Sequence, residues 1–234
     1  ATKKGSGGTV IVWSNDTTRF YGDASAAGGR RGGGGGLIET SGKVNLDIRG
    51  ASISARARGD GRSGLWLMDP VNVNIDDPTG GDDTTGGAFA GGTFDPDNSI
   101  SPAIVDANTI KMALEGGTNV TILTGSVGAD QGNINVNTVL SFNLPTDVTF
   151  TMRAANSVNV NQTITASGAG KLNLELFANA NGGGNVDTNT ASGDVFVLAG
   201  ITTNGGSFST TGVDYTQNAS VSTAGGNVAI DNTG

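Results

Sequence analysis

The chemistry open to this chain is that of carboxylates, guanidiniums and hydroxyls. It contains no histidine and no cysteine. Imidazole bases, thiolate nucleophiles, disulfides and the ordinary zinc ligand sets are therefore excluded. Two groups of residues have types and spacing that suit a specific chemistry. Asp76, Asp77, Asp82, Asp83, Asp95 and Asp97 crowd one Gly- and Pro-rich stretch. Oxygen ligands at this density suit calcium, with Asp82, Asp83, Asp95 and Asp97 as the candidate ligands. Their spacing is not that of an EF-hand loop, and the nonapeptide of calcium β-rolls is absent, so the competing expectation is a solvated acidic loop. Arg58-Gly59-Asp60 lies in A-R-A-R-G-D-G-R-S-G. Exposed in a turn, it would offer a guanidinium and a carboxylate to a receptor of the integrin type. The plainer expectation is a glycine corner that carries charge.

The remaining candidates point away from catalysis. Two carboxylates can cleave a glycosidic bond, but no pair stands out from the acidic background, and the expectation is a protein that is not an enzyme. Lys43, with Glu39 and Asp47 nearby in sequence, is expected to form a strand-surface ion pair. Gly32–Gly36 lacks the Gly-Lys-Ser/Thr and following helix of a phosphate loop and reads as a flexible corner. Tyr21, Tyr215, Phe142, Phe177, Phe196 and Phe208 read as core stacks or corner fillers.

The elements that must carry these residues are short and numerous. Glycine supplies 40 of 234 residues, more than twice the usual ~7 %, and only 15 % are charged. Period-2 runs recur as Gly8–Ser14, Lys43–Ile48, Gly64–Asp69, Val71–Ile75, Val120–Leu123, Asn133–Val136, Val148–Met152, Val158–Val160, Lys171–Phe177, Val195–Leu198 and Asn227–Ile230. Alternation of this kind predicts strands. Ala107–Glu115 fits a strand or a two-turn helix equally well. A unit also repeats: a hydrophobe, small polar residues, a glycine pair, then a strand. It recurs 20 residues apart at Ile201 and Val221, and a longer version places Leu37 and Leu65 28 residues apart. Such periods predict a solenoid of stacked β-coils. The expected fold is an all-β, right-handed parallel β-helix of roughly ten coils, about 45–50 Å long at the strand spacing. An antiparallel sandwich is the rival. One continuous solenoid is expected, with coils in 1–75, a loop insertion over 76–106 and further coils over 107–234.

Charge is divided along this solenoid. Residues 1–67 carry net +5 and residues 68–234 net −13. Arg49, Arg56, Arg58 and Arg62 are interleaved with small residues rather than aromatics, so no nucleic-acid partner is expected. No apolar run reaches a membrane span, so no membrane insertion is expected. Coil ends expose strand edges, and the charge division favours head-to-tail self-association.

Residues 9–75 resemble a known family. T-V-I-V-W-S-N-D-T-T-R-F-Y-G-D, G-G-L-I-E-T-S-G-K-V-N-L-D-I and G-L-W-L-M-D-P-V-N-V-N-I are similar to the filamentous haemagglutinin-like exoproteins of two-partner secretion. Trp13, Thr18, Phe20, Gly22, Glu39, Ser41, Gly42, Lys43, Trp66, Leu67, Asp69 and Pro70 occupy the matching positions. The resemblance implies a right-handed β-helix passenger, secreted through an outer-membrane partner to the exterior of a Gram-negative cell. It implies a structural and adhesive role toward a host surface or glycan. The family's amino-terminal secretion domain has no counterpart here, so the chain is expected to be an internal or C-terminal fragment. The alternative function is a polysaccharide-binding or polysaccharide-cleaving β-helix.

Overall fold

The computed structural model describes residues 3–43, 45–77, 88–90, 93–95, 103–125, 132–179 and 193–233. The chain winds in successive coils. The first holds β1 (Thr9–Ser14), β2 (Thr17–Arg19) and β3 (Asp23–Ser25), the second β4 (Leu37–Gly42), β5 (Asn45–Asp47) and β6 (Ser52–Ser54). The third coil starts with β7 (Leu65–Met68) and β8 (Val73–Asp76). It then makes an excursion that includes the antiparallel pair β9 (Ala88–Ala90) and β10 (Thr93–Asp95). It returns through β11 (Ala103–Asp106) and helix α1 (Ala107–Glu115). Regular coils follow: β12 (Asn119–Leu123), β13 (Ile134–Val136) and β14 (Leu140–Leu144), then β15 (Val148–Arg153), β16 (Val158–Val160) and β17 (Ile164–Gly168). Next come β18 (Leu172–Phe177), β19 (Val195–Val197) and β20 (Ile201–Thr202), then β21 (Phe208–Gly212), β22 (Tyr215–Gln217) and β23 (Val221–Ser222), and last β24 (Val228–Asn232).

Equivalent strands stack into three faces, and every ladder along the stack is parallel. The first face is an eight-stranded sheet in the order β1-β4-β7-β12-β15-β18-β21-β24. The second runs β11-β8-β13-β16-β19-β22 and the third β14-β17-β20-β23. This is a parallel β-helix rather than a sandwich. The repeat read in the sequence is the register itself: Leu37 pairs with Leu65, and Ile201 with Val221. The first face carries eight rungs, against the roughly ten expected, and spans about 34 Å at the usual strand spacing. The difference arises because several short apolar runs are second faces of a coil already counted. The excursion and α1 also lengthen one coil, so that Leu65 stacks directly on Asn119.

The core is a set of in-register apolar rows. Ile38, Trp66, Val120, Phe150, Leu174 and Phe208 form one such row through six rungs, each 1 % exposed or less. Period-2 alternation sends these residues inward and their Thr and Asn neighbours outward. Phe142 packs edge-on to Phe150, with rings 6.5 Å apart, and ties the third face to the first.

Ala107–Glu115 resolves as a helix. Ala107, Ile110, Ala113 and Leu114 are buried on one stripe, the helical spacing that a strand could not bury together. Asp106 caps it by accepting from Asn108 N at 2.8 Å. The helix lies against β6 on one side and β14 on the other, filling the third face where a strand would otherwise stand. β11 lies between β5 and β8, so the coil body resumes at Ala103, inside the stretch read as a loop insertion.

Candidate functional site

The residues that can do chemistry fall on four parts of the surface. The first is the corner that leads from the third face into the first. Residues 3–8, 26–36 and 55–64 form three glycine-rich loops stacked one rung apart. Gly5 N donates to Gly32 O (3.0 Å), Gly7 N to Gly34 O (2.9 Å), Gly28 N to Arg56 O (2.9 Å) and Gly35 N to Arg62 O (2.9 Å). Gly33 and Arg58 exchange both backbone bonds, at 3.0 and 2.9 Å. The glycine run expected to be a flexible corner is instead pinned on both sides. Gly33 has φ +144°, and a Cβ there would lie 2.0 Å from Gly5 O; at Gly35 it would lie 1.7 Å from Ala55 O. Close backbone stacking, not flexibility, requires glycine here.

Arg58-Gly59-Asp60 sits on this corner. Gly59 has φ +59°, and Gly59 and Asp60 are exposed, while Arg58 is half-buried. The Nε of Arg58 is buried with no hydrogen-bond partner. Lys3, Lys4, Arg30, Arg31, Arg56 and Arg62 are exposed on the same three loops. Of the basic residues noted in the sequence, the structure gathers Arg56, Arg58 and Arg62 here and leaves Lys43 and Arg49 elsewhere.

The second part lies beside β2 and β5. Arg49 donates through Nε to Asp47 Oδ1 at 2.9 Å and through its terminal nitrogen to Oδ2, and Tyr21 Oη donates to Asp47 Oδ2 at 2.8 Å. The partner of Asp47 is therefore Arg49 rather than the expected Lys43, because a residue two positions on can present both guanidinium nitrogens to one carboxylate. Burial raises the Asp47 pKa, but the hydrogen bonds from Arg49 and Tyr21 outweigh it and hold the carboxyl below its ordinary value. Burial and the bond to Asp47 push the Tyr21 phenol up. Tyr21 is 50 % exposed and Trp13, on the outer side of β1, is 52 % exposed. Phe142 and Phe208 are buried as expected, whereas Tyr21 is not a core residue.

The third part is the outer side of the first face around β4, where Glu39 stands one rung from Leu67. Burial, with the charge of Glu39, pushes the Asp69 carboxyl above its ordinary value. The sequence hid this pair, because its members lie on successive coils and far apart in the chain. Farther along the same face Thr151 donates to Glu175 Oε2 at 2.9 Å, and the Arg153 guanidinium lies 4.0 Å from the centre of the Phe177 ring.

The fourth part is the outer side of the second face, which carries asparagine ladders. Asn135 Nδ2 donates to Asn74 Oδ1 and Asn159 Nδ2 to Asn135 Oδ1, both at 2.9 Å. Asn156 Nδ2 donates to Asn133 Oδ1 at 2.8 Å, and Asn161 Nδ2 to Asn137 Oδ1 at 3.0 Å.

The expected calcium ligands Asp82, Asp83 and Asp97 lie outside the described residues, and Asp95 ends β10. Among the described residues no three acidic side chains come together in a metal-binding group, and no helix is long and apolar enough to cross a membrane. Compared with models of protein families and with curated protein sequences, the chain matches none.

Proposed function

We propose that this chain is a structural and adhesive segment of a secreted surface protein, and that its work is to hold a long, repetitive surface at a distance. The observation that carries this reading is the unbroken first-face stack, register-locked inside by the apolar row from Ile38 to Phe208. A stack held by its own ladders is stiff, and each added coil lengthens it without changing its section. The haemagglutinin-like motifs of residues 9–75 agree with export through an outer-membrane partner and display outside a Gram-negative cell. Head-to-tail association of copies, which the division of charge along the chain favours, would extend the stack. Negative-stain electron microscopy of the purified chain, with and without calcium, tests this. Rods longer than one chain are expected. Short isolated particles at high concentration and low salt reject assembly.

Glu39 and Asp69 favour one second reading, a polysaccharide-cleaving β-helix. A carboxyl whose pKa is raised by burial and by a second carboxylate is the arrangement of a glycosidase acid and its partner. Reducing ends released from a glycan panel, and lost in Asp69→Asn, would establish it. No release from the panel retires it.

A further inference from the structure

We infer that the stacked glycine-rich corner binds an acidic polysaccharide carrying one carboxylate per sugar, laid along the axis of the solenoid. The three loops, residues 3–8, 26–36 and 55–64, hold seven basic residues and one acidic residue, Asp60. None of the seven forms an ion pair among the described residues; the salt bridge of Arg49 and Asp47 lies elsewhere. The positive charge is therefore unspent, and the buried Nε of Arg58 has a donor with no acceptor. Concentrated on a chain of net charge −8, this corner is an attractive strip on an otherwise repelling molecule.

Geometry selects the kind of polyanion. Cations come as Lys3 and Lys4, then Arg30 and Arg31, then Arg56, Arg58 and Arg62, on loops joined rung to rung by backbone bonds. Charge thus repeats along the axis at the strand spacing of about 4.8 Å, which suits a polymer charged at every residue. Arginine forks match carboxylates in bidentate fashion. The loops contain no aromatic residue and no apolar side chain larger than alanine. With no aromatic ring to stack on a base and no apolar side chain to enter a lipid layer, the contact is made by charge and guanidinium planes alone. The short axial repeat favours an extended chain with one charge per sugar over a duplex, whose phosphates follow a helical path. Nor do two described acidic residues of the later coils fit. Asp194 and Asp214 stack on the corner between the first and second faces, so copies aligned on one axis do not place them over these arginines.

This inference rests on the adhesive reading and names its ligand class. The test is binding of the whole chain to immobilised polygalacturonate, beside neutral dextran, dextran sulfate and duplex DNA. Retention on polygalacturonate alone is expected, falling steeply with salt. Arg30→Gln, Arg31→Gln, Arg56→Gln and Arg62→Gln together should weaken it at least tenfold at unchanged melting temperature, while Lys111→Gln leaves it intact. If the fourfold variant does not fold, Arg30→Gln with Arg31→Gln, both exposed, should still weaken binding severalfold. Undiminished binding by a folded variant overturns the site. Equal or tighter binding to dextran sulfate or DNA overturns the carboxylate-polymer assignment. Rods seen by microscopy in the same samples, without polygalacturonate retention, overturn the ligand and leave the structural reading standing.

Discussion

At the scale of single residues, two tryptophans show how position on the pleat decides what a side chain is worth. Trp66 is fully buried, and its Nε1–H donates to Thr40 Oγ1 at 2.9 Å, a hydroxyl that is itself buried. Trp66→Ala should cost about 3–5 kcal/mol, the range for a large aromatic removed from a core. Trp66→Phe should cost about 2 kcal/mol, because it strips Thr40 of its donor and leaves a smaller void. Trp13→Ala, half-exposed on the outer side, should stay within about 0.5 kcal/mol. Urea unfolding measures all three. Two carboxylates give the pH dependence opposite signs. Asp47 has a lowered pKa in the fold, so its contacts with Arg49 and Tyr21 stabilise above the unfolded value of about 3.9. That stability is lost as pH falls through the lowered folded value. Asp69 has a raised pKa, so its ionised form carries a penalty at neutral pH that lifts as pH falls through its folded value. Asp47→Asn should therefore lower the melting temperature at pH 7 and Asp69→Asn should raise it, with both differences shrinking in acid. Shifts of the same sign at pH 7 would contradict these assignments.

At the scale of elements, α1 is where local sequence and tertiary position part company. Its alternation permits a strand, and its spacing permits a helix. The choice is made by the burial of Ala107, Ile110, Ala113 and Leu114 against neighbouring rungs, which no window of nine residues reveals. Asp106 fixes the junction. It accepts from Asn108 N at 2.8 Å, Thr109 Oγ1 at 3.0 Å and Gly50 N at 3.4 Å, so it both caps the helix and ties it to the second coil. Asp106→Ala should cost about 1–2 kcal/mol, and Asp106→Asn less, since the amide oxygen still accepts from Asn108. Equal losses in urea unfolding would show that the cap bond is not what matters. The same division governs what was readable along the chain. Strands with strong alternation, such as Leu172–Phe177, were legible. Third-face strands such as Val221–Ser222 were visible only as the leading hydrophobe of a repeat, because two residues hold no period. The basic corner was visible as a charge bias but not as a place, since its loops meet only when coils stack. Glu39 and Asp69 were hidden for the same reason.

At the scale of the whole molecule, the inward row of the first face is the quantity that assembly would use. Each rung buries the row of the one before it. Phe208 is 1 % exposed beneath β24, whereas Val228 and Ile230, which continue the row, are each about half exposed. Covering them with a further rung, from a continuation of the same polypeptide or from a second copy, would contribute about 0.8–1.5 kcal/mol per side chain, half the value for complete burial, together with a parallel strand ladder. The division of charge adds steering toward head-to-tail encounter, but it acts at long range and is screened by salt. These two contributions can be separated. Val228→Asp with Ile230→Asp places carboxylates where a further rung would desolvate them, while changing nothing that the chain itself buries deeply. The variant should melt close to the parent and remain short in light scattering at concentrations where the parent forms rods. Added salt should slow rod growth in the parent without abolishing it, because the apolar row is not screened. Rods formed equally by the variant would show that assembly does not run through this row. Rods abolished by salt alone would assign the contact to charge instead.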